Sequence, residues 1–380
     1  MTNRAHRLFR APGRVNLIGE HTDYNDGFVM PAAINFSTWI TLYDLEEHQL
    51  AFQSDSFREQ VVLDLDNPPT SPRGHWSDYP IGVALMLQRA GYDLQGARLI
   101  ISTEVPIGSG LSSSAALEVV TAIALTAHSN IAIDPVELAL LCQRAENEFV
   151  GARVGIMDQF ASIFGRSNKA LLLDCRTLEF KQLPLSNKTQ LLICNTMVKH
   201  ELASSAYNER RAQCEEGVAR LKTLLPNVTA LRDISSAQLE MHRASLPELI
   251  YRRCKHVITE NERVLAAAAA LQQDDLHRFG ELMNESHESL RYNYEVSCAE
   301  LDLMAELARD IEGVYGARMT GGGFGGCTVN LVDRNNVDQF KELVSAGYQK
   351  ATRLTPEIYV CSAVNGAEEV IENSNGTQPG

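Results

Sequence analysis

A two-domain α+β fold is what this 380-residue chain predicts, and three observations carry the expectation. Short apolar runs separated by polar turns fill the stretch from Leu8 to Leu65, with helical patterns behind them. Residues 200–310 are mostly helical in pattern, and a strand, a helix and a strand close the chain. Strands and helices gathered into separate runs favour α+β over a regularly alternating parallel sheet. Hydrophobic residues make up 44% of the chain, which at this length suffices for two cores.

The elements follow in order. Phe36–Tyr43 is rich in β-branched and aromatic residues and reads as a strand. Asn67-Pro-Pro-Thr-Ser-Pro-Arg-Gly74 is an irregular loop. Trp76 to Ala90 is helical and stops at Gly91, the position after a helix that glycine favours. Arg98–Ser102 is a strand, and Ser112–Ala127 is a helix of small residues behind a glycine-rich loop. Asp134 and Pro135 supply an N-cap and a first helical residue for a helix running to about Val150. Lys169–Cys175 and Gln190–Asn195 are apolar strands. Tyr251–Gln272, with five consecutive alanines, and Asp275–Leu290 are helices. Gly326–Val332, Val337–Gly347 and Ile358–Ala363 form the closing strand, helix and strand. The polar tail Asn373–Gly380 is expected to fray. The domain boundary is placed near Thr177, giving residues 1–177 and 178–380, and there is no internal repeat.

The net charge of −14 argues against nucleic acid and anionic membrane surfaces as partners. No run of about 18 apolar residues suggests a membrane span, and the basic N-terminus lacks the apolar stretch of a secretion signal. The eight cysteines form no C-x-x-C pair in a large chain, so reduced thiols in the cytoplasm are expected rather than zinc or disulfides. Nothing in the sequence calls for an oligomer, and a monomer is the default.

Three constellations carry chemistry. In Arg14-Val-Asn-Leu-Ile-Gly-Glu-His-Thr-Asp-Tyr-Asn-Asp-Gly27, Glu20, His21 and Asp23 crowd donors and acceptors between turn residues. Such a cluster suits a neutral polyol, whose hydroxyls each want a donor and an acceptor; a solvated turn is the plainer reading, and the spacing fits no zinc site. Pro106-Ile-Gly-Ser-Gly-Leu-Ser-Ser-Ser-Ala-Ala116 joins a strand to a helix. Gly108 and Gly110 permit close backbone approach, and a helix N-terminus attracts anions. The loop lacks the Gly-Lys-Ser/Thr of a Walker sequence, and helix capping by Ser112 alone is the competing reading. In Thr320-Gly-Gly-Gly-Phe-Gly-Gly-Cys327, five of the six residues from Gly321 to Gly326 are glycine. Such flexibility is costly to order, so the segment should pack against backbone or ligand, unless it is only a turn into the next strand. Asp158, a lone acid in Gly155-Ile-Met-Asp-Gln-Phe160, follows Glu146 and Glu148 by twelve and ten residues. Alone it would be an N-cap or a satisfied buried carboxylate.

Together these segments resemble the GHMP family of small-molecule kinases, and within it the members that phosphorylate galactose. The stretch from Gly13 to Gly27 resembles their sugar signature almost letter for letter. Mevalonate and homoserine kinases are similar only in the second and third motifs. The likeness continues through Gly155–Phe160, Tyr207-Asn-Glu-Arg-Arg211, Arg253–Asn261, Glu285-Ser-His287 and Tyr359-Val-Cys361, so it covers nearly the whole chain.

The resemblance implies an N-terminal domain like domain 2 of ribosomal protein S5, a ferredoxin-like C-terminal domain, and an active site between them. It implies transfer of the γ-phosphoryl group of ATP to the C1 hydroxyl of galactose. Arg14 and Asp158 match the catalytic pair. Arg14, Glu20, His21, Asp23, Gly155, Asp158 and Tyr207 match the sugar-binding set. Gly108, Ser109, Gly110, Leu111, Ser112, Ser113, Ser114 and Ala115 match the phosphate loop, and Trp76 and Tyr79 match residues lining the adenine site. Ser114, with Glu146, would hold Mg²⁺. Two departures stand out. Fewer residues precede Gly13 than the family usually has, which implies either a thinner cover over the sugar or one that lies outside this sequence, and Val154 stands where a Cys is common. The rivals are a kinase for another hexose such as N-acetylgalactosamine, a non-catalytic galactose sensor, and a related decarboxylase. The phosphate loop, complete at Ser114-Ala115, speaks against the sensor.

Overall fold

The computed structural model describes residues 6–199 and 203–371, so the polar tail predicted to fray lies outside the described residues. In chain order the elements are β1 (Arg7–Asn16), β2 (Phe28–Val29), β3 (Pro31–Asp44), β4 (Gln49–Ser54), β5 (Glu59–Asp64), α1 (Asp78–Arg89), β6 (Ala97–Thr103), α2 (Ser113–His128), α3 (Pro135–Arg144), α4 (Met157–Phe164), β7 (Lys169–Asp174) and β8 (Phe180–Pro184). They continue with β9 (Thr189–Lys199), α5 (Ala203–Lys222), α6 (Ser236–Met241), α7 (Glu248–Gln272), α8 (Leu276–Ser289), α9 (Ala299–Arg309), β10 (Val314–Thr320), β11 (Gly325–Asp333), α10 (Val337–Thr352), β12 (Glu357–Cys361) and β13 (Glu368–Val370).

The first sheet has the order β13-β1-β3-β6-β4-β5. Its apolar face, with Phe9, Ile40, Phe52 and Leu99, is buried against Ala84, Leu87, Val119, Ala122 and Leu125 of α1 and α2. The second sheet has the order β10-β11-β9-β12. Both β11 and β12 run antiparallel to the β9 between them. The helix α10 therefore joins two parallel strands split by a third, the ferredoxin-like arrangement implied for this half. Phe340, Val344 and Tyr348 of α10 pack with Met304, Ala305 and Ala308 of α9 over Leu192, Cys194 and Val332. A further core joins the halves: Val15, Leu17 and Met30 meet Ile193 and Val329, and Val264, Ala267 and Leu271 of α7 close over them. Part of the alanine run (Ala267, Ala268 and Ala270) faces this core, where small side chains let the helix lie close.

The helix predicted to reach Val150 does so with a change of pitch. Asp134 Oδ1 caps it by accepting from the N–H of Val136 at 2.8 Å, and α3 gives way at Ala145 to one π turn, Ala145–Val150. Such turns are often found at functional sites. Thr177 lies in the turn between β7 and β8, and β13 pairs with β1 at the far end of the chain. Arg7 and Arg10 on β1 hold Glu369 and Glu368 of β13 by exposed ion pairs at 2.7 and 2.6 Å. No described helix is long and apolar enough to cross a membrane, and none of the eight cysteines is in a disulfide.

Candidate active site

The site forms where the two halves meet. A register shift between Pro12 and Arg14 interrupts the pairing of β1 with β3, and such a bulge re-aims the next side chain. The Arg14 guanidinium donates through Nε to Asp158 Oδ1 at 2.7 Å and through Nη2 to Asp158 Oδ2 at 2.8 Å. Its third donor, Nη1, reaches the Gly110 carbonyl at 2.6 Å. Burial alone would lower the Arg14 pKa; the charges of Asp158, Glu20 and Asp23 outweigh it and raise it. Asp158 stands in the first turn of α4 with its side chain 27% exposed, so the paired carboxylate still faces open space.

Ser112 does not act as the helix cap of the competing reading. Its backbone is left-handed at φ +59°, no side-chain cap forms, and its hydroxyl donates to Asp158 Oδ2 at 2.5 Å. Three donors thus orient one carboxylate. Ser109, Leu111 and Ala115 turn their side chains into the protein, and the Ser109 hydroxyl donates to the Pro106 carbonyl at 2.7 Å. These three can offer a ligand only backbone. The first N–H to close the helix is that of Ala116, bonded to the Ser112 carbonyl at 3.1 Å. The amides of Ser113, Ser114 and Ala115 therefore head the helix, where anions are favoured.

The glycine-rich loop packs on this phosphate loop. Gly321 has φ +83°, and a Cβ there would lie 3.1 Å from the Gly110 carbonyl. The predicted close packing against backbone is thus observed. The Gly321 N–H also donates to Glu20 Oε1 at 2.8 Å, and Thr320 Oγ1 donates to the same oxygen at 3.1 Å.

His21, Asp23, Gly155 and Tyr207 come together beside Asp158. His21 adopts φ +64°, an uncommon conformation for a side-chain-bearing residue and a sign of local strain. Its Nδ1 is hydrogen-bonded to the Tyr24 hydroxyl at 2.8 Å, and the buried ring also lies against the Gly322 backbone. Burial, helped by nearby His256, lowers its pKa to about 3, so the ring is neutral. The Tyr207 ring lies 5.4 Å from both the His21 and Tyr24 rings. At Gly155 a Cβ would come within 2.0 Å of Asp23 Oδ2, so only glycine fits.

Burial, with the charge of Asp158, raises the Asp23 pKa to about 7. The unfolded chain releases this proton near pH 4, so the folded protein holds it over the window between. The contribution of Asp23 to stability therefore falls as pH rises from about 4 to about 7 and stays unfavourable above. Asp23→Asn should raise the Tm of the ligand-free protein by on the order of 2–4 °C at pH 8 and leave it unchanged near pH 4. Thermal melts across that range read the difference.

Two cavities share Gly108 and Val150 as walls. One, of about 830 Å³, is lined by Phe57, Trp76, Tyr79, Ser113, Ser114 and Leu117. Trp76 stacks on Phe57 with the rings 3° from parallel, and its Nε1 donates to Glu59 at 3.1 Å. The other, of about 640 Å³, runs between Gly110, Ala152, Tyr207 and Gly322–Gly326. The Ser114 side chain lies against Glu146, whereas Glu148 faces out and pairs with Arg144 at 2.8 Å. Burial and the charge of Asp158 raise the Glu146 pKa to about 7. Oxygen donors beside excess buried negative charge are the chemistry a Mg²⁺ ion takes, so Ser114 and Glu146 fit that ion. Sequence reasoning missed Glu118 and Gln159, which adjoin Glu146, and Arg318 and Thr320, which adjoin Glu20. Glu118 had left a signal: a lone acid in a helix of small and apolar residues, four positions after Ser114.

A phosphate-ready helix N-terminus, a glycine loop packed on it and a ferredoxin-like second half define a small-molecule kinase of the GHMP class. Residues 78–166 match the GHMP kinases N terminal domain and residues 267–350 the GHMP kinases C terminal. Residues 2–43 match the galactokinase galactose-binding signature. The chain is 45% identical to a galactokinase of Roseiflexus sp., covering 97% of this chain and 94% of that one. It is 46% identical to a galactokinase of Chloroflexus aggregans over 95% and 92%. The crystal structure of Lactococcus lactis galactokinase complexed with galactose superposes with a TM-score of 0.93 at 38% identity, covering 96% and 95%. The chain belongs to the galactokinase family.

Proposed function

We propose that this protein transfers the γ-phosphoryl group of ATP to the C1 hydroxyl of galactose in the cytoplasm, as a monomer. The observation that carries the reading is the Asp158 carboxylate, held by Arg14 and Ser112 beside His21, Asp23 and Tyr207 on one side and the phosphate loop on the other. Phosphoryl transfer depends on alignment and charge neutralisation more than on covalent chemistry.

In this mechanism Asp158 accepts the proton of the C1 hydroxyl as the new O–P bond forms and the bond from the γ-phosphorus to the β,γ-bridging oxygen breaks, that oxygen leaving with ADP. Arg14 keeps the carboxylate in one orientation and offsets its charge. Asp23 and neutral His21 exchange hydrogen bonds with sugar hydroxyls. The Tyr207 ring walls the sugar, and Gly155 leaves room for Asp23. The amides of Ser113–Ala115 receive phosphate oxygens, and the cavity lined by Trp76 and Tyr79 takes the adenine. A Mg²⁺ ion held by Ser114 and Glu146 would neutralise phosphate charge.

A panel of hexoses with ATP and Mg²⁺ in a coupled ADP assay tests the reading. Galactose should support turnover at least tenfold above glucose and N-acetylgalactosamine. Preference for a 2-acetamido sugar would move the substrate, and ATP binding without galactose-dependent turnover would remove the enzyme.

A further inference from the structure

Beneath the phosphate loop lies a buried acid that the mechanism above leaves unused. Glu118 follows Ser114 by four residues on α2, which puts both on one face of the helix. Its side chain is 0% exposed, and Oε2 accepts from Gln159 Nε2 at 2.9 Å. The same nitrogen donates to Glu146 Oε2 at 3.0 Å. Gln159 stands next to Asp158 on α4. One amide therefore ties together α2, the π turn that carries Glu146, and the helix that carries Asp158.

Stability does not explain this arrangement. Neither Glu118 nor Gln159 meets a cation, and Oε1 of each lacks a donor. Leaving buried polar atoms unsatisfied is costly, and an apolar side chain of similar size would fill the space without that cost. What the arrangement does supply is direction. With both N–H groups of Gln159 committed to carboxylates, the Glu146 carboxylate has one oxygen fixed inside the protein, with the Ser114 side chain nearby.

We infer that Glu118 and Gln159 are positioning residues that fix the Glu146 carboxylate next to Ser114 and thereby set the divalent-cation affinity of the nucleotide site. The inference rests on Glu146 as a cation ligand in the reading above. Groups that orient a metal ligand commonly matter about 10–100-fold in metal affinity.

The test uses the full chain saturated with galactose and β,γ-methylene-ATP, with Mn²⁺ titrated and followed by electron paramagnetic resonance. Glu118→Ala should weaken Mn²⁺ binding by about tenfold or more. It should raise the Mg²⁺ needed for half-maximal turnover to the same degree and leave the galactose KM within about twofold. Gln159→Leu removes the donor to Glu146 directly and should behave alike, so it carries the test if Glu118→Ala does not fold. Glu118→Gln, which can still accept from Gln159, should recover most of the affinity. Wild-type Mn²⁺ binding in Glu118→Ala or Gln159→Leu, with or without a lower Tm, would overturn the inference. Glu146→Gln separates the two levels. If it alone weakens Mn²⁺ binding, the positioning role falls and the ligand stands; if it has no effect, the ligand assignment itself falls.

Discussion

Asp158→Asn should lower kcat by about 10³-fold or more while the ATP KM stays within about threefold. The substitution keeps the shape of the side chain. One oxygen can still accept from Arg14, so the guanidinium retains a partner in addition to the Gly110 carbonyl. The amide cannot accept a proton from the sugar, and its own N–H₂ must face Arg14 Nη2 and the Ser112 hydroxyl, both donors to the original carboxylate. The loss therefore falls on the chemical step and on the local charge. The nucleotide contacts proposed for Ser113, Ser114 and the Trp76 cavity lie apart from it. Steady-state kinetics with each substrate varied, alongside ADP titration by calorimetry, separate the effects. A variant with more than a tenth of wild-type turnover would remove Asp158 from the chemistry. A variant that is inactive only because ADP no longer binds would make its role structural.

The site was legible in the sequence to different depths. The run Gly321–Gly326 was readable from composition, because so many flexible positions are costly to order unless something packs on them. The structure places the Gly110 carbonyl 3.1 Å from where a Cβ at Gly321 would stand. The helix behind the phosphate loop was equally plain, since serines after Gly110 precede a run of small apolar residues. The ion pair of Arg14 with Asp158 was not readable from spacing: 144 positions separate the partners, and only the resemblance joined them. Capping is the competing reading of Ser112 because serine caps helices well, but its left-handed backbone turns the hydroxyl to Asp158 instead. Among the strands, β10 escaped notice because Gly316 and Arg318 break its β-forming pattern, and the buried Arg318 is intelligible only once Glu20 lies opposite. The three residues of β13 carry no alternation, and their pairing depends on Arg7 and Arg10 from the other end of the chain.

Glu20 was expected to act on the sugar alone, and the structure gives it a second task. Its Oε1 accepts from the Gly321 N–H at 2.8 Å, from Thr320 Oγ1 at 3.1 Å and from Arg318 Nη1 at 3.4 Å. Arg318 is 0% exposed, and its Nε and Nη2 have no hydrogen-bond partner. The nearby histidines do not add to its charge: burial lowers His21 to about 3 and His256 to about 4, leaving both neutral. Besides Glu20, the buried carboxylate acting on Arg318 is that of Glu260, which is already committed to Gly19, Ser286 and Arg263. Removing one partner of a buried ion pair costs about 3–5 kcal/mol, because the remaining charge stays desolvated. Glu20→Ala should therefore lower the Tm by roughly 5–10 °C. It should also raise the galactose KM about tenfold or more, as expected for a lost hydrogen bond to a charged group. Because Glu20 also fixes the start of the glycine loop, ATP binding should weaken in the same variant, which a role confined to the sugar would not produce. Glu20→Gln keeps an acceptor for Gly321 and loses only the charge facing Arg318, so its Tm should fall between those of Glu20→Ala and the wild type, with ATP affinity largely restored. Melting curves and substrate titrations on the two variants decide. A raised galactose KM with unchanged Tm and ATP affinity would confine Glu20 to the sugar, whereas a lowered Tm with an unchanged galactose KM would make it only the latch between β1 and the glycine loop.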